Sequence, residues 1–384
     1  MRTAADYSLI RGDLLRIYQQ ALAAVKADRV VKQWLVGANP GPLAVIALGK
    51  AASAMMAGAE QALGKQLVEG LVVTKPGHII AGGHGSDVSV LEAGHPLPNE
   101  ASLEAGSLML EFISRQLPDM PLLLLISGGT SSLVEVLAEG GELADLIAAN
   151  RALLASGLPI DKINEIRRQY SVIKGGGLNN FLGQRPVQAL LISDVPSDDP
   201  AIIGSGLLVA SEQAQLEVIA SIDDALQAAE SAARKLGYEV QLDSNRLQGD
   251  AEEIGREFAS MLLAAKPGFY IRGGETTVQL PAEPGTGGRN QHLALAAAMV
   301  IADHENVLIL AAGTDGTDGP TEDAGALVDG QTLARGEIEA YDAGLALVAA
   351  DAGTFLAVSG DLIQTGPTDT NVMDLLIGVK WADD

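Results

Sequence analysis

Between Pro121 and Ser132 the chain reads PLLLLISGGTSS, five apolar residues in a row running straight into glycines and hydroxyls. The unbroken run Leu122 to Ile126 is what a strand covered on both faces needs, as in a parallel sheet. Ser127, Gly128 and Gly129 then allow a tight turn and present backbone N–H groups, while Thr130, Ser131 and Ser132 offer caps to a following helix. Ligands of open α/β sheets gather at such carboxyl ends of strands. An ordinary strand-to-helix turn has the same glycine content and stays open as the alternative at this point.

The rest of the chain repeats this alternation. Helical spacing over Tyr7 to Val25 precedes a buried strand, Leu43 to Leu48, which ends in Gly49-Lys50 and runs into the small-residue helix AASAMMAGAEQAL. Gly70 to Thr74 and Val88 to Glu92 read as short strands, followed by KPGH and EAGHPLPNE. Asn99 opens a helix to about Arg115. Ile147 to Ala155 and Lys162 to Lys174 are predicted helical, and Val187 to Ile192 is another buried strand, ending in Ser193-Asp194. Strands alternating with helices predict a doubly wound, mostly parallel sheet. The rhythm changes near KLGYEVQLD, residues 235–243, and the domain boundary is placed there, giving domains of 1–238 and 239–384. Beyond it come a helix from about Gly249 to Ala265, strands Gly268 to Arg272 and Glu275 to Leu280 separated by two glycines, a helix His292 to Ile301, and a strand Val307 to Ala311.

With 384 residues the chain is long enough for two domains. Its formal charge of -24 repels polyphosphate backbones and anionic membranes, so nucleic acid is not an expected partner. The absence of cysteine removes disulfide and thiolate chemistry. The first residues lack the apolar segment of a signal peptide and no apolar run suits a membrane span, so the expectation is a cytoplasmic protein handling small molecules, with a homodimer compatible with it. In so acidic a chain, cations near glycine loops carry more information than usual.

Lys50 follows a buried strand at the start of a helix, where an ammonium and helix N–H groups together suit phosphate. A snorkelling surface lysine is the bland alternative. On the helix predicted from Asp161, the residues Asn164, Arg167, Ser171 and Lys174 fall within about 80° of one another at about 100° per residue, giving one doubly cationic face. Asp194 ends a strand, from which a carboxylate can reach substrate or metal. The second domain gathers Glu275, Arg289, Asn290, Asp315 and Asp318 on glycine-rich turns: GGETT, GTGGRNQ and GTDGTDGPTEDAG. Arg289 is placed to fork onto phosphate or carboxylate. Asp315 and Asp318 suit Mg²⁺ or ribose hydroxyls. Candidate substrate or phosphate contacts are thus Ser127, Gly128, Gly129, Ser193, Arg167, Glu275, Thr314 and Asp318. His78, His84 and His95 lack metal-ligand spacing and read as structural or substrate-adjacent. No G-x-G-x-x-G follows a strand and no P-loop is present.

Taken in order, VIALGKAASAMM, KPGH, EAGHPLPNE, LISGGTSSL, INEIRRQYSVIKGGGL, LLISDVPSDDPAIIGSG, GGETTV, GGRNQ, AAGTDGTDGPTEDAGA and GPTDTNVMDL resemble the glycerate 2-kinases whose second half is a MOFRL domain. The likeness runs from Val45 to Leu375. It implies an N-terminal Rossmann-like α/β/α domain, a smaller C-terminal α/β domain and a cleft between them as the active site. It also implies ATP- and Mg²⁺-dependent phosphorylation of D-glycerate to 2-phosphoglycerate. By the same resemblance the catalytic positions are Lys50, Asp194, Arg289, Asp315 and Asn371. Because an acid beside the phosphates of ATP is costly unless it binds metal or accepts a proton, Asp194 and Asp315 are assigned to Mg²⁺ and the reacting hydroxyl in either order, with Asp318 close enough in sequence to substitute as metal ligand. The segment between the domains and the 281–287 loop look short for the family. A hydroxypyruvate reductase, a name that close relatives have carried, would need a nicotinamide site for which no fingerprint exists. A non-catalytic sugar-acid binder has no use for so many carboxylates beside its cations.

Overall fold

The structure is a computed structural model that describes residues 4–155 and 160–382, with the side chains of residues 4–6, 153–155, 160, 161, 163 and 164 outside the described set. The chain divides into two compact units. One holds Lys26–Ser221 with Asp369–Asn371; the other holds the N-terminal segment to Val25, Ile222–Thr368 and the chain from Val372 onward.

The first unit is built on six strands, β1 Leu43–Leu48, β2 Leu67–Thr74, β3 Val88–Glu92, β4 Leu122–Ile126, β5 Val187–Ile192 and β6 Ala214–Ala220. Their order is β3-β2-β1-β4-β5-β6 and every pair is parallel. All of β1 and β4 is buried, as their apolar runs require, whereas the edge strand β3 is half exposed. From β1 the chain winds outward through β2 to β3. It then returns through the helix Glu100–Arg115 to lay β4 on the other side of β1. The β1/β4 junction is therefore the topological switch point, where the carboxyl ends of the strands open a crevice. The returning helix starts where the sequence says it should: Asn99 Oδ1 accepts from Ser102 N at 3.2 Å and Asn99 N donates to Ser102 Oγ at 3.0 Å, a capping box. Met109 and Phe112 on that helix share a core with Ile46, Leu48, Leu124 and Ile126.

One predicted helix is shorter than expected. The helix Ile160–Arg167 ends where residues 162–174 were expected to continue it. Ala138 N donates to Tyr170 O and Val172 N donates to Val136 O, both at 2.9 Å, so backbone pairing with the segment after β4 replaces helical hydrogen bonds. Ile173 enters the core and Lys174 is buried against Glu135. The cationic face of Asn164, Arg167, Ser171 and Lys174 therefore does not form; Asn164's side chain lies outside the described residues.

The second unit carries β7 Val240–Leu242, β8 Gly268–Gly274, β9 Val307–Gly313, β10 Gly325–Asp329, β11 Leu362–Ile363 and β12 Asp374–Lys380, in the order β11-β10-β9-β12-β8-β7. Here the pairs are antiparallel except β7–β8. Residues 275–280 are not a strand. With β8 already held between β12 and β7, the chain past Gly274 makes only isolated bridges, Leu247↔Gly274 and Asp250↔Thr277, to the approach of the helix Ala251–Ala264. The glycine-rich stretch after β9 instead ends in a buried strand, β10.

The division of the chain also differs from a boundary at 238. The helix Ile222–Lys235 buries Ile222, Ala225, Leu226, Ala229 and Ala233, and a β-carbon on Gly273 of β8 would lie 2.6 Å from Ile222 Cγ1. That apolar stripe belongs to the second sheet, as does the helix Ala4–Ala24, whose Tyr18 hydroxyl donates to Gly313 O at 2.6 Å. Among the described residues no helix is long and apolar enough to cross a membrane.

Candidate active site

At the switch point the two strand ends are tied together by their own backbone. Lys50 N donates to Gly128 O at 2.8 Å, Ser127 N donates to Leu48 O at 2.9 Å, and Gly49 takes a φ of +116° to make the turn. Ser127 is fully buried: its hydroxyl donates to Leu48 O at 3.2 Å and accepts from Ala51 N at 3.1 Å. Ser193, likewise buried, spends its hydroxyl on Val195 N and O. Both serines commit their hydroxyls to shaping the loops.

Three candidates do meet here. A β-carbon on Gly128 would collide with Asp194 Oδ2 and lie 2.7 Å from Asn371 Nδ2. One on Gly129 would lie 3.0 Å from His95 Cδ2 and 3.1 Å from Lys50 Cγ. Asn371 reaches this place because Asp369–Asn371, alone of the GPTDTN motif, joins the parallel-sheet unit. The backbone of Gly128 and Gly129 thus forms a floor on which Lys50, Asp194, Asn371 and His95 stand. Beside it lies a cavity of about 180 Å³ lined by His95, Ser131, Ser132, Arg167, Asp194 and Ser205 among others. Gly128→Ala should therefore displace Asp194 and Asn371 while sparing the fold. Since misplacement by about an ångström costs on the order of 10²-fold, turnover should fall that far with an unchanged melting curve. Wild-type turnover in this variant would remove the Gly128 floor from the site.

In the second unit, β8, β12, the loop after β9 and the helix Arg289–Ile301 bring three acids, Asp374, Glu275 and Asp318, around one cation. Arg289 forks onto Asp374, Nε to Oδ2 at 2.6 Å and Nη2 to Oδ1 at 3.2 Å, and pairs through Nη1 with Glu275 at 2.5 Å. Burial alone would loosen the proton of this guanidinium, but Asp374 and Glu275 outweigh it and hold it charged. Asp318 is not placed for Mg²⁺ or substrate. It is buried, Oδ1 accepts from Asn290 N at 3.1 Å and Oδ2 from Gln291 N at 2.8 Å, so it caps the helix that Arg289 opens. Burial pushes its carboxyl up to about 7, against the downward pull of those N–H groups and of Arg289. Thr314, also buried, donates to Met373 O at 2.7 Å and accepts from Val372 N at 2.8 Å, stitching two glycine loops together. Asp315 remains half-buried, with Oδ1 accepting from Thr317 N at 3.0 Å.

Asp374 escaped sequence reasoning, though a signal was there: it is the one charge in the apolar run Val372 to Val379, and an acid so placed must be paired. His84 proves structural. Its Nε2 is 2.8 Å from Ser53 Oγ and its Nδ1 is 2.7 Å from Glu60 Oε2, tying its loop to the helix Ala52–Leu63. Among the described residues no three His, Cys, Asp or Glu side chains cluster as a metal cage. Mg²⁺ in phosphoryl-transfer sites usually takes only one or two carboxylates and completes its shell with phosphates and water, so single acids such as Asp194 and Asp315 fit it.

Residues 13–236 match the family described as "Domain of unknown function (DUF4147)" and residues 268–374 match the MOFRL family. The chain is 35% identical to the D-glycerate 2-kinase of Thermotoga maritima over 95% of this chain and 97% of that protein. It is also 35% identical to an Agrobacterium vitis protein that carries a provisional hydroxypyruvate reductase name, over 87% of this chain and 98% of that one. The crystal structure of a glycerate kinase from Thermotoga maritima superposes with a TM-score of 0.87 at 34% identity, covering 97% of this chain and all of the other. The chain belongs to the glycerate 2-kinase family whose second domain is of the MOFRL type.

Proposed function

We propose that this protein transfers the γ-phosphoryl group of ATP to the 2-hydroxyl of D-glycerate, giving 2-phospho-D-glycerate. The observation that carries the reading is the gathering of Lys50, Asp194 and Asn371 on the Gly128–Gly129 floor at the switch point. Phosphoryl transfer asks a protein for positioning and charge neutralisation rather than covalent chemistry. The Lys50 ammonium neutralises phosphate oxygens, and the Asp194 carboxylate orients the hydroxyl and takes its proton. In the second unit Arg289 is a further cation, held charged by Asp374 and Glu275. Mg²⁺, when bound, supplies further neutralisation of the nucleotide phosphates, with Asp315 or Asp194 as its protein ligand. The reading takes the protein to be a cytoplasmic enzyme of small-molecule metabolism.

Incubation with D-glycerate and ATP·Mg²⁺ should release ADP and yield a phosphate ester at carbon 2, read by phosphorus NMR. Oxidation of NADH or NADPH by hydroxypyruvate, with no ADP from glycerate, would replace this reading with a reductase.

A further inference from the structure

The cavity beside the Gly128–Gly129 floor holds one guanidinium, Arg167, facing the same space as Asp194. Arg167 is held from behind: its Nε donates to Asn150 Oδ1 at 2.8 Å, and Asn150 is buried, its own amide donating to Leu146 O at 3.0 Å. Among the described residues no hydrogen-bond partner is present for the two terminal nitrogens of Arg167. The nearby acid Glu135 does not quench it, because Glu135 is committed to Lys174 in an ion pair whose side chains are 0% and 1% exposed. Burial lowers the pKa of Arg167, and the field of Glu135 only partly counters this. Glu135 thus has its own cation, and the Arg167 side chain lines the cavity. A volume of about 180 Å³ is roughly six water molecules at ~30 Å³ each, enough for a short hydroxy acid.

We infer that Arg167 is the carboxylate-recognising group of the acceptor site, with Asn150 as its positioning residue, so that a 2-hydroxy acid binds with its carboxylate on Arg167 and its hydroxyl towards Asp194. This rests on the kinase reading for the identity of the acid, but the binding geometry is separate from phosphoryl transfer. It explains why the cavity carries one charge of each sign: the cation takes the anionic end, and the carboxylate can accept only from a hydroxyl. A polyol without the carboxylate lacks the first contact.

The test is calorimetric titration of the full chain with D-glycerate and with its neutral amide, alongside steady-state kinetics. Removing a charge-assisted contact costs roughly 10- to 100-fold, so Arg167→Gln should weaken D-glycerate by that factor and leave the neutral amide unchanged. Arg167→Lys, which keeps the charge but loses the fork, should fall between. Asn150→Ala should raise the Kd and KM for D-glycerate about three- to tenfold, with kcat and the KM for ATP near wild type. A drop in kcat with unchanged KM would mark Asn150 as merely structural and overturn its role. Equal loss of acid and amide in Arg167→Gln, or undiminished preference for the acid, would overturn the assignment. Tight, Arg167-dependent binding of D-glycerate without ADP formation would sustain this inference and sink the kinase reading instead.

Discussion

Replacing Lys50 with alanine should lower kcat about 10³-fold, the scale of losing a phosphoryl clamp, with a melting curve indistinguishable from wild type. The expectation of an intact fold comes from where the turn gets its strength. Gly49 N donates to Val73 O at 3.1 Å, Lys50 N to Gly128 O at 2.8 Å and Ala51 N to Ser127 Oγ at 3.1 Å. None of these bonds involves the Lys50 side chain, and all survive its truncation. What is lost is a cationic side chain whose Cγ stands 3.1 Å from where a β-carbon on Gly129 would lie, at the start of a helix that already favours an anion. Steady-state kinetics and thermal circular dichroism on the same preparation decide the matter. A variant that turns over normally would take Lys50 out of the site, and one that unfolds would recast it as structural.

Arg289→Ala should behave differently, losing stability as well as turnover. Arg289 is the partner of Asp374, whose side chain is 4% exposed, and it faces the buried Asp318 as well. Arg289's side chain is 36% exposed, so solvent screens the pair and its removal costs less than the about 3–5 kcal/mol of a fully buried one, although Asp374 stays buried and unpaired. The loss should also grow with pH. Asp318's carboxyl is raised to about 7 by burial, so its stabilising contribution is full below the ordinary carboxylate range and is lost as pH rises through about 7. Arg289 pulls that value down, so without it the anion above neutral pH is still more costly while the protonated acid at low pH is unaffected. Urea unfolding near pH 5 and near pH 9, at roughly two units either side of the transition, should show the larger deficit at the higher pH. Equal deficits would remove Asp318 from the account. Arg289→Lys should recover part of the stability, since a point charge remains, and little of the turnover, since the fork to Asp374 is gone.

Much of the parallel-sheet unit was legible in the sequence. Unbroken apolar runs at 43–48, 122–126 and 187–192 can be satisfied only by strands buried on both faces, and they are β1, β4 and β5. Asn99 announced its helix because a cap is a local hydrogen bond. The sequence also singled out Lys50 and Asp194 by their places just past buried strands, whereas Asn371 came only from the family resemblance. Period and turn chemistry are properties of neighbours in the chain, so a sequence carries them by itself.

Tertiary structure decided the rest, in each case by a partner far away in sequence. That β4 pairs with β1, making Gly128 and Lys50 neighbours at the switch point, follows from strand order and not from any local pattern. The helix expected to run to Lys174 stopped at Arg167 because residues 136–138 offered backbone partners that helix propensity cannot foresee. Asp318 looked like a metal ligand on a glycine loop and became the cap of a helix opened by Arg289, since four orphan N–H groups at a buried helix start must be satisfied by whatever carboxylate the fold delivers. Ser127, Ser193 and Thr314 were drawn inward for the same reason, as hydroxyls that close backbone hydrogen bonds in tight turns. Which polar side chains face a ligand and which serve the backbone is settled by burial, and burial exists only once the whole chain has folded.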